Sequence, residues 1–369
     1  MNLNSQTFSS TRKPKIFNNP ERFIEGWYWV IPSRNLRVGE VKPVTILGRE
    51  LVIYRGKDKR VVTFDAYCPH MGAHLAEGKV EGNALRCFFH HWKFDAEGMC
   101  IDIPCLNTSL SLKLQTWPTA EKYGMIWVWT GEIPQQPLPF VPELEQKECD
   151  IAIHSHFMIN CHPNVVMINA IDAQHLNAVH KLPIEIIFER QELNENAIIF
   201  SNTTPVKDNL FFIKLICLFY KNAITYSICH WTYSICYWYG SIGIVTLGPD
   251  FFHVHMMVAV RLHKGGKTEG QILFMTKKRK GIFGWLSNRI VLELTKIATK
   301  YFLMGDIKIL QTIQFNLKTP IKVDHSIMQF INHVEKQQSL MWGTWQEGRS
   351  RDVESKPKRE RWQDTMSND

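Results

Sequence analysis

The chain lacks a long, clean apolar run. Its most hydrophobic stretch, NLFFIKLICLFYKNAITYSICHWTYSICYWYG at 209–240, is broken by Lys214, Lys221, Asn222 and His230. A spanning helix needs roughly 20 predominantly apolar residues, so buried strands or helices are expected there, with peripheral membrane contact left open. The opening MNLNSQTFSSTRKPK is polar and has no apolar core segment of the secretory kind. The expected setting is therefore a reducing cytoplasm. There the nine unevenly spaced cysteines would stay as thiols or metal ligands. No internal repeat is visible, which argues against a solenoid or propeller. Acidic residues are the minority, 35 against 43 Lys and Arg, for a net charge of +8. That surplus could suit an acidic protein partner, an acidic membrane surface or nucleic acid, and it also serves plain solubility. Nucleic acid is not among the expected partners.

What is present is enough for two ordinary domains: 369 residues, 45% hydrophobic and 21% charged. Residues 1–20 read as a disordered lead-in. From Gly26 short runs rich in Val, Ile, Tyr and Thr alternate with turn signals such as GKDK at 56–59. This predicts a small all-β domain over 21–145, ending near the proline-rich GEIPQQPLPFVPELEQ. A mixed domain is expected over 146–345, and a charged, core-poor tail over 346–369. In the mixed domain, NVVMINAIDAQHLNAVHKL has helical spacing. Strand-like runs cover 186–260, and WLSNRIVLELTKIATKYFLMGDIKILQTIQF is a second helical region, with Ser287 or Asn288 as candidate caps. DHSIMQFINHVEKQQSLM is a third. The fold class is α+β.

Two stretches carry chemistry first: AYCPHMGAHLAEG and LRCFFHHWKFDAEG. They read Cys68-x-His70, sixteen residues, then Cys87-x-x-His90. Two Cys and two His fit one zinc ion. They also fit a Rieske [2Fe–2S] cluster, in which Cys holds one iron and His the other. Each stretch supplies one Cys and one His, which favours the cluster. His74 and His91 break the spacing and read as loop polars or as residues that support the ligands from behind.

CPHMGAHL with CFFHHWKFD resembles the cluster loops of Rieske non-haem iron oxygenases, and Trp92 belongs to the same pattern. Respiratory-type Rieske proteins carry an extra Cys in each loop; here Ala73 and Phe88 or Phe89 stand in those places. The resemblance implies an N-terminal all-β Rieske domain followed by a catalytic domain built on a helix-covered antiparallel sheet. It also implies a mononuclear iron site, for which NAIDAQHLNAVHK offers His175 and His180 as two arms of a 2-His-1-carboxylate triad. Positions i and i+5 sit about 140° apart on an ideal helix. The helix must therefore widen or end between them. Asp172 shares a face with His175 and could bond its ring. By resemblance, Asp172 would link the cluster of one subunit to the iron of its neighbour in a homotrimer. The third ligand is expected at Asp306, one acid inside the apolar stretch YFLMGDIKILQT, with Asp324 and Glu293 as rivals.

Weaker signals remain. His253 and His255 share a strand face by period two and could line a pocket. The aromatics of 226–239 suit a core or a cavity wall, and KKRKG at 277–281 suits a solvated loop or an acidic ferredoxin. The expected activity is hydroxylation of a C–H bond on a polycyclic or alkaloid small molecule. It would use Fe(II), one [2Fe–2S] cluster, O2 and a ferredoxin or flavin reductase. AYCPHMGAHLAEGKVEGN and GDIKILQTIQF resemble cyanobacterial natural-product members such as saxitoxin-pathway hydroxylases. Steroid or chlorophyll-type substrates are the alternative. A Rieske electron carrier without oxygen chemistry and a zinc-stabilised binding protein are the rivals from other classes.

Overall fold

The computed structural model describes residues 16–106, 111–181, 186–205, 230–249 and 252–340. The expected tail at 346–369, most of the lead-in and much of the apolar 209–240 stretch lie outside them. Ile16 and Phe17, placed by sequence in the lead-in, are buried. Their backbone N–H groups both donate to Glu335 Oε1, at 2.9 and 2.7 Å. An apolar pair joined to a helix end by a charge-assisted bond is an anchor rather than a tail.

The N-terminal part is all β. Its strands are β1 (Trp27–Pro32), β2 (Val41–Ile46), β3 (Arg49–Arg55), β4 (Val61–Asp65), β5 (Lys79–Glu81) and β6 (Ala84–Arg86). They are followed by β7 (Lys93–Phe94), β8 (Cys100–Asp102), β9 (Thr116–Trp117), β10 (Thr119–Lys122) and β11 (Met125–Trp129). They form small sheets ordered β2-β3-β4-β9, β5-β6-β7-β8 and β1-β11-β10. The β6–β7 hairpin of the second sheet carries Cys87 and His90, and the loop from β4 to β5 carries Cys68 and His70. β4 leads straight into Cys68 and is held by Asp65, which accepts Arg49 Nε and Nη2 at 3.0 and 2.8 Å. Trp117 Nε1 donates to the same carboxylate at 2.9 Å.

The C-terminal part is built on β12 (Cys149–Ile159), β13 (Glu189–Asn194), β14 (Ala197–Pro205), β15 (His230–Trp238), β16 (Ile242–Pro249), β17 (Val254–His263) and β18 (Lys267–Lys277). They make one antiparallel sheet ordered β12-β18-β17-β16-β15-β14-β13. Helices α1 (Pro163–Ile168) and α2 (Ala173–Ala178), the long α3 (Gly281–Leu310) and α4 (His325–Glu335) cover it. The α+β class with a helix-covered antiparallel sheet is thus observed. One buried cluster joins the two parts, with Trp27, Trp127 and Trp129 packed with Tyr239 and Phe330. No helix among the described residues is long and apolar enough to cross a membrane.

Two local expectations are corrected. The long helix begins at Gly281, earlier than Ser287 or Asn288 would set it. Asn288 is buried inside it, donating to Asp150 Oδ2 at 2.7 Å and to the Lys277 carbonyl at 3.0 Å. A buried amide that ties a helix to a neighbouring strand does more there than a cap at its end. The stretch expected as one helix around Asp172 is two short helices broken at that residue, where ψ is 97°.

Candidate metal centres

Cys68 and Cys87 are buried in the N-terminal part, and each loop is closed by its own backbone. Cys68 N–H donates to the Ala73 carbonyl at 2.9 Å and Gly72 N–H returns to the Cys68 carbonyl at 2.9 Å; Cys87 N–H donates to the Trp92 carbonyl at 2.8 Å. Gly78 lets the loops approach, because a Cβ there would meet the Arg86 carbonyl oxygen at 2.4 Å. The His70 and His90 rings lie 4.6 Å apart. Trp92 stacks on His70 at 4.2 Å with planes 8° apart, fixing that ring's orientation.

Burial pushes the Cys68 thiol up to about 12, with the Cys87 sulfur adding to the rise. Two adjacent buried thiols can ionise only if cations lie against them. Paired thiols on one side and paired imidazoles on the other are the donor set of a Rieske cluster. His74 faces elsewhere, and His91 turns the chain with φ +61°. His74 Nδ1 accepts Ala76 N–H at 3.2 Å, and the His91 carbonyl accepts Arg86 Nη1 at 2.7 Å.

The second centre forms where α2 ends against α3. The loop before α2 is pinned through its carbonyls. Tyr237 Oη donates to Met167, Tyr233 Oη to Ala170 and Ser326 Oγ to Ile171, at 2.6, 2.7 and 2.7 Å. Gln174 Nε2 donates to Asp324 Oδ1 at 3.0 Å, so Asp324, a rival for the third ligand, braces α2 instead. Glu293, the other rival, pairs with Lys296 at 2.7 Å on the outer surface. Asp172 is the N-cap of α2. Its Oδ1 accepts the backbone N–H of His175 at 2.9 Å, in place of the ring contact expected from sequence. The helix ends between the two histidines, and Lys181 turns the chain with φ +53°. This resolves the i, i+5 conflict by stopping the helix rather than widening it.

His175 Nε2 and His180 Nε2 are 3.0 Å apart, and Asp306 Oδ1 lies 3.0 and 2.9 Å from them. Asp306 is buried, yet among the described residues no hydrogen-bond donor is aimed at its Oδ1. Three acceptor atoms facing one point repel unless a cation sits among them. Donors at this spacing match adjacent ligands of an octahedral ion with bonds of about 2.1 Å. The residues present therefore fit a facial triad. His180 is held below its ordinary value, chiefly by burial, so its ring offers a lone pair. Phe302 stacks on it at 3.6 Å, and Gly305 leaves room for Val179, whose Cγ1 would stand 3.1 Å from a Cβ.

His253 and His255 do not line this centre. His253 Nδ1 sits 2.6 Å from Glu143 Oε2, and His255 Nδ1 meets Thr246 Oγ1 at 2.9 Å. Sequence reading gave no sign of Phe302, Gln174 or Glu143 as partners of these groups, because each lies on an element distant in the chain.

A Rieske [2Fe-2S] domain model matches residues 26–118. Aminopyrrolnitrin oxygenase PrnD of Pseudomonas fluorescens is 36% identical over 184 residues, 47% of this chain and 50% of that protein. Cholesterol 7-desaturase nvd of Bombyx mori is 37% identical over 166 residues, 44% of this chain and 36% of that protein. The chain thus spans half or less of these relatives' own lengths. In fold, it resembles dicamba monooxygenase bound to dicamba, with a TM-score of 0.58 and 17% identity, covering 85% of this chain and 97% of that one.

Proposed function

We propose that this chain, a member of the Rieske non-haem iron oxygenases, takes electrons from an external ferredoxin or flavin reductase and uses O2 to oxidise a C–H bond of a polycyclic small molecule. The observation that carries this reading is the near-equilateral triangle of His175 Nε2, His180 Nε2 and Asp306 Oδ1. It stands in the same chain as the loops of Cys68, His70, Cys87 and His90. A [2Fe–2S] cluster on those loops would relay single electrons, and an Fe(II) at the triad would supply O2 activation. Hydroxylation balances as C–H plus O2, two electrons and two protons, giving C–OH and water.

The protein's own groups orient and shield. Trp92 holds the His70 ring, Asp172 and Asp324 hold α2, and Phe302 covers one face of His180. We assign Cys68, Cys87, His70 and His90 to the cluster, and His175, His180 and Asp306 to the mononuclear iron. The assembly in this reading is a homotrimer, with Asp172 on the electron route between subunits. The family resemblance supports both.

For the substrate we favour an apolar polycyclic skeleton over a guanidinium alkaloid of the saxitoxin kind. A cholesterol 7-desaturase and a probable 3-ketosteroid monooxygenase are among the relatives, and both names carry an apolar polycyclic skeleton. Because the first of these is a desaturase, removal of two hydrogens is the second reading of the same chemistry. The test is turnover of candidate polycyclic molecules with O2 and a generic reductase, read by mass. One added oxygen supports hydroxylation and two lost hydrogens support desaturation. If His175→Ala retains full function as an electron donor and no candidate is oxidised, the electron-carrier reading replaces this one.

A further inference from the structure

The long helix α3 is apolar on the wrong side. A surface helix ordinarily buries its apolar stripe and shows its polar one. Here Asn288, Leu292, Asp306 and Leu310 face inward. Phe283, Leu286, Ile290, Leu294, Ile297 and Tyr301 face outward, from 46% exposed at Leu286 to 86% at Phe283. Their spacing of three, four, four, three and four residues keeps them on one face at about 100° per residue, opposite the buried one, over about 27 Å. Exposed apolar patches of this size mark an interaction surface.

Charge points to what covers it. Residues 277–310 hold eight Lys and Arg against Glu293 and the buried Asp306. A second copy seated face to face would bring two such cationic clusters together. The consecutive four-residue steps also depart from the three–four alternation of a left-handed coiled-coil seam. A bilayer asks only for an apolar face with aromatic and cationic flanks, and anionic headgroups would neutralise the cations. Trp285, 57% exposed, adds an interfacial aromatic.

We propose that the outer face of α3 docks on an anionic lipid surface, lying in the interface without crossing it. Asp306 and Phe302 are on this same helix, so docking brings the triad close to molecules dissolved in the bilayer. The docking stands apart from the oxygenase reading, because it is measured without turnover.

The test uses the full chain with its cluster loaded and vesicles of phosphatidylcholine, alone or mixed with phosphatidylglycerol. The protein is expected to co-sediment with the mixed vesicles at low salt and to be released by high salt. Ile290→Gln with Ile297→Gln should lower partitioning about tenfold or more. Lys280→Ser and Lys300→Ser should each lower it about fivefold. An unchanged cluster absorption spectrum shows that these variants still fold. The proposal fails if the unaltered chain ignores anionic vesicles at low salt, or if both kinds of variant bind as it does. It also fails if the isoleucine variants reduce the mass by light scattering while leaving vesicle binding intact, which would assign the stripe to a second copy.

Discussion

Asp172 and Asp306 are both carboxylates near His175, yet their surroundings give them different work. Asp306 is buried with its Oδ1 aimed at two imidazole nitrogens and, among the described residues, at no donor. Asp306→Ala should lower iron from about three to about two atoms per chain. It should abolish product formation and leave the cluster spectrum intact; metal analysis with visible spectroscopy checks this. Asp172 instead spends Oδ1 on the His175 N–H. Asp172→Ala should cost about 1 kcal/mol through the lost cap, whereas Asn caps as well as Asp. If Asp172 also serves electron transfer, Asp172→Asn keeps the thermal midpoint and loses turnover. A variant that keeps both removes that role.

Elements set the distance between the proposed ligands. α2 ends after Ala178, and α3 passes close enough that a Cβ at Gly305 would stand 3.1 Å from Val179 Cγ1. Gly305→Val would place a branched side chain in that contact and push the helices apart, at roughly 1–3 kcal/mol of overpacking. The expected result is weaker retention of the mononuclear iron on dialysis against a chelator, with cluster iron unchanged. In the N-terminal part, the Arg49–Asp65–Trp117 contact plays the matching role by fixing the strand that delivers Cys68.

At the scale of the molecule, one core runs from the tryptophans of the small sheets to α4. Arg261 reinforces the joint, with Nη1 donating to the Trp29 carbonyl at 2.8 Å and Nε to Glu269 Oε2 at 2.7 Å. Several buried histidines make the whole acid-sensitive. Burial brings His162, His255 and His333 down to about 4, below the unfolded value of about 6.5. Their folded forms resist protonation, so the unfolded chain binds more protons between those values. Stability is full above about pH 6.5 and falls as pH drops towards 4. The unfolding midpoint should decline over this window, and His333→Gln should make the decline shallower. A flat midpoint from pH 7 to pH 4.5 would contradict this.

The candidate sites were legible because their donor side chains come in short words. Cys68-x-His70, Cys87-x-x-His90 and the pair His175 and His180 each sit within a few residues of chain. Asp306 could also be singled out, since one acid in an apolar helical stretch needs a compensating cation. What the sequence could not carry was which way things face. Helical periodicity allowed Asp172 to touch a ring, but the backbone break at that residue turned it into a cap. The same spacing rules marked 281–310 as helical without saying which of its apolar sides is buried. That choice belongs to the sheet beneath it, because burial is decided by neighbours brought from elsewhere in the chain. Sequence determined the donor groups; tertiary packing placed three of them 3 Å apart and turned a row of apolar side chains outward.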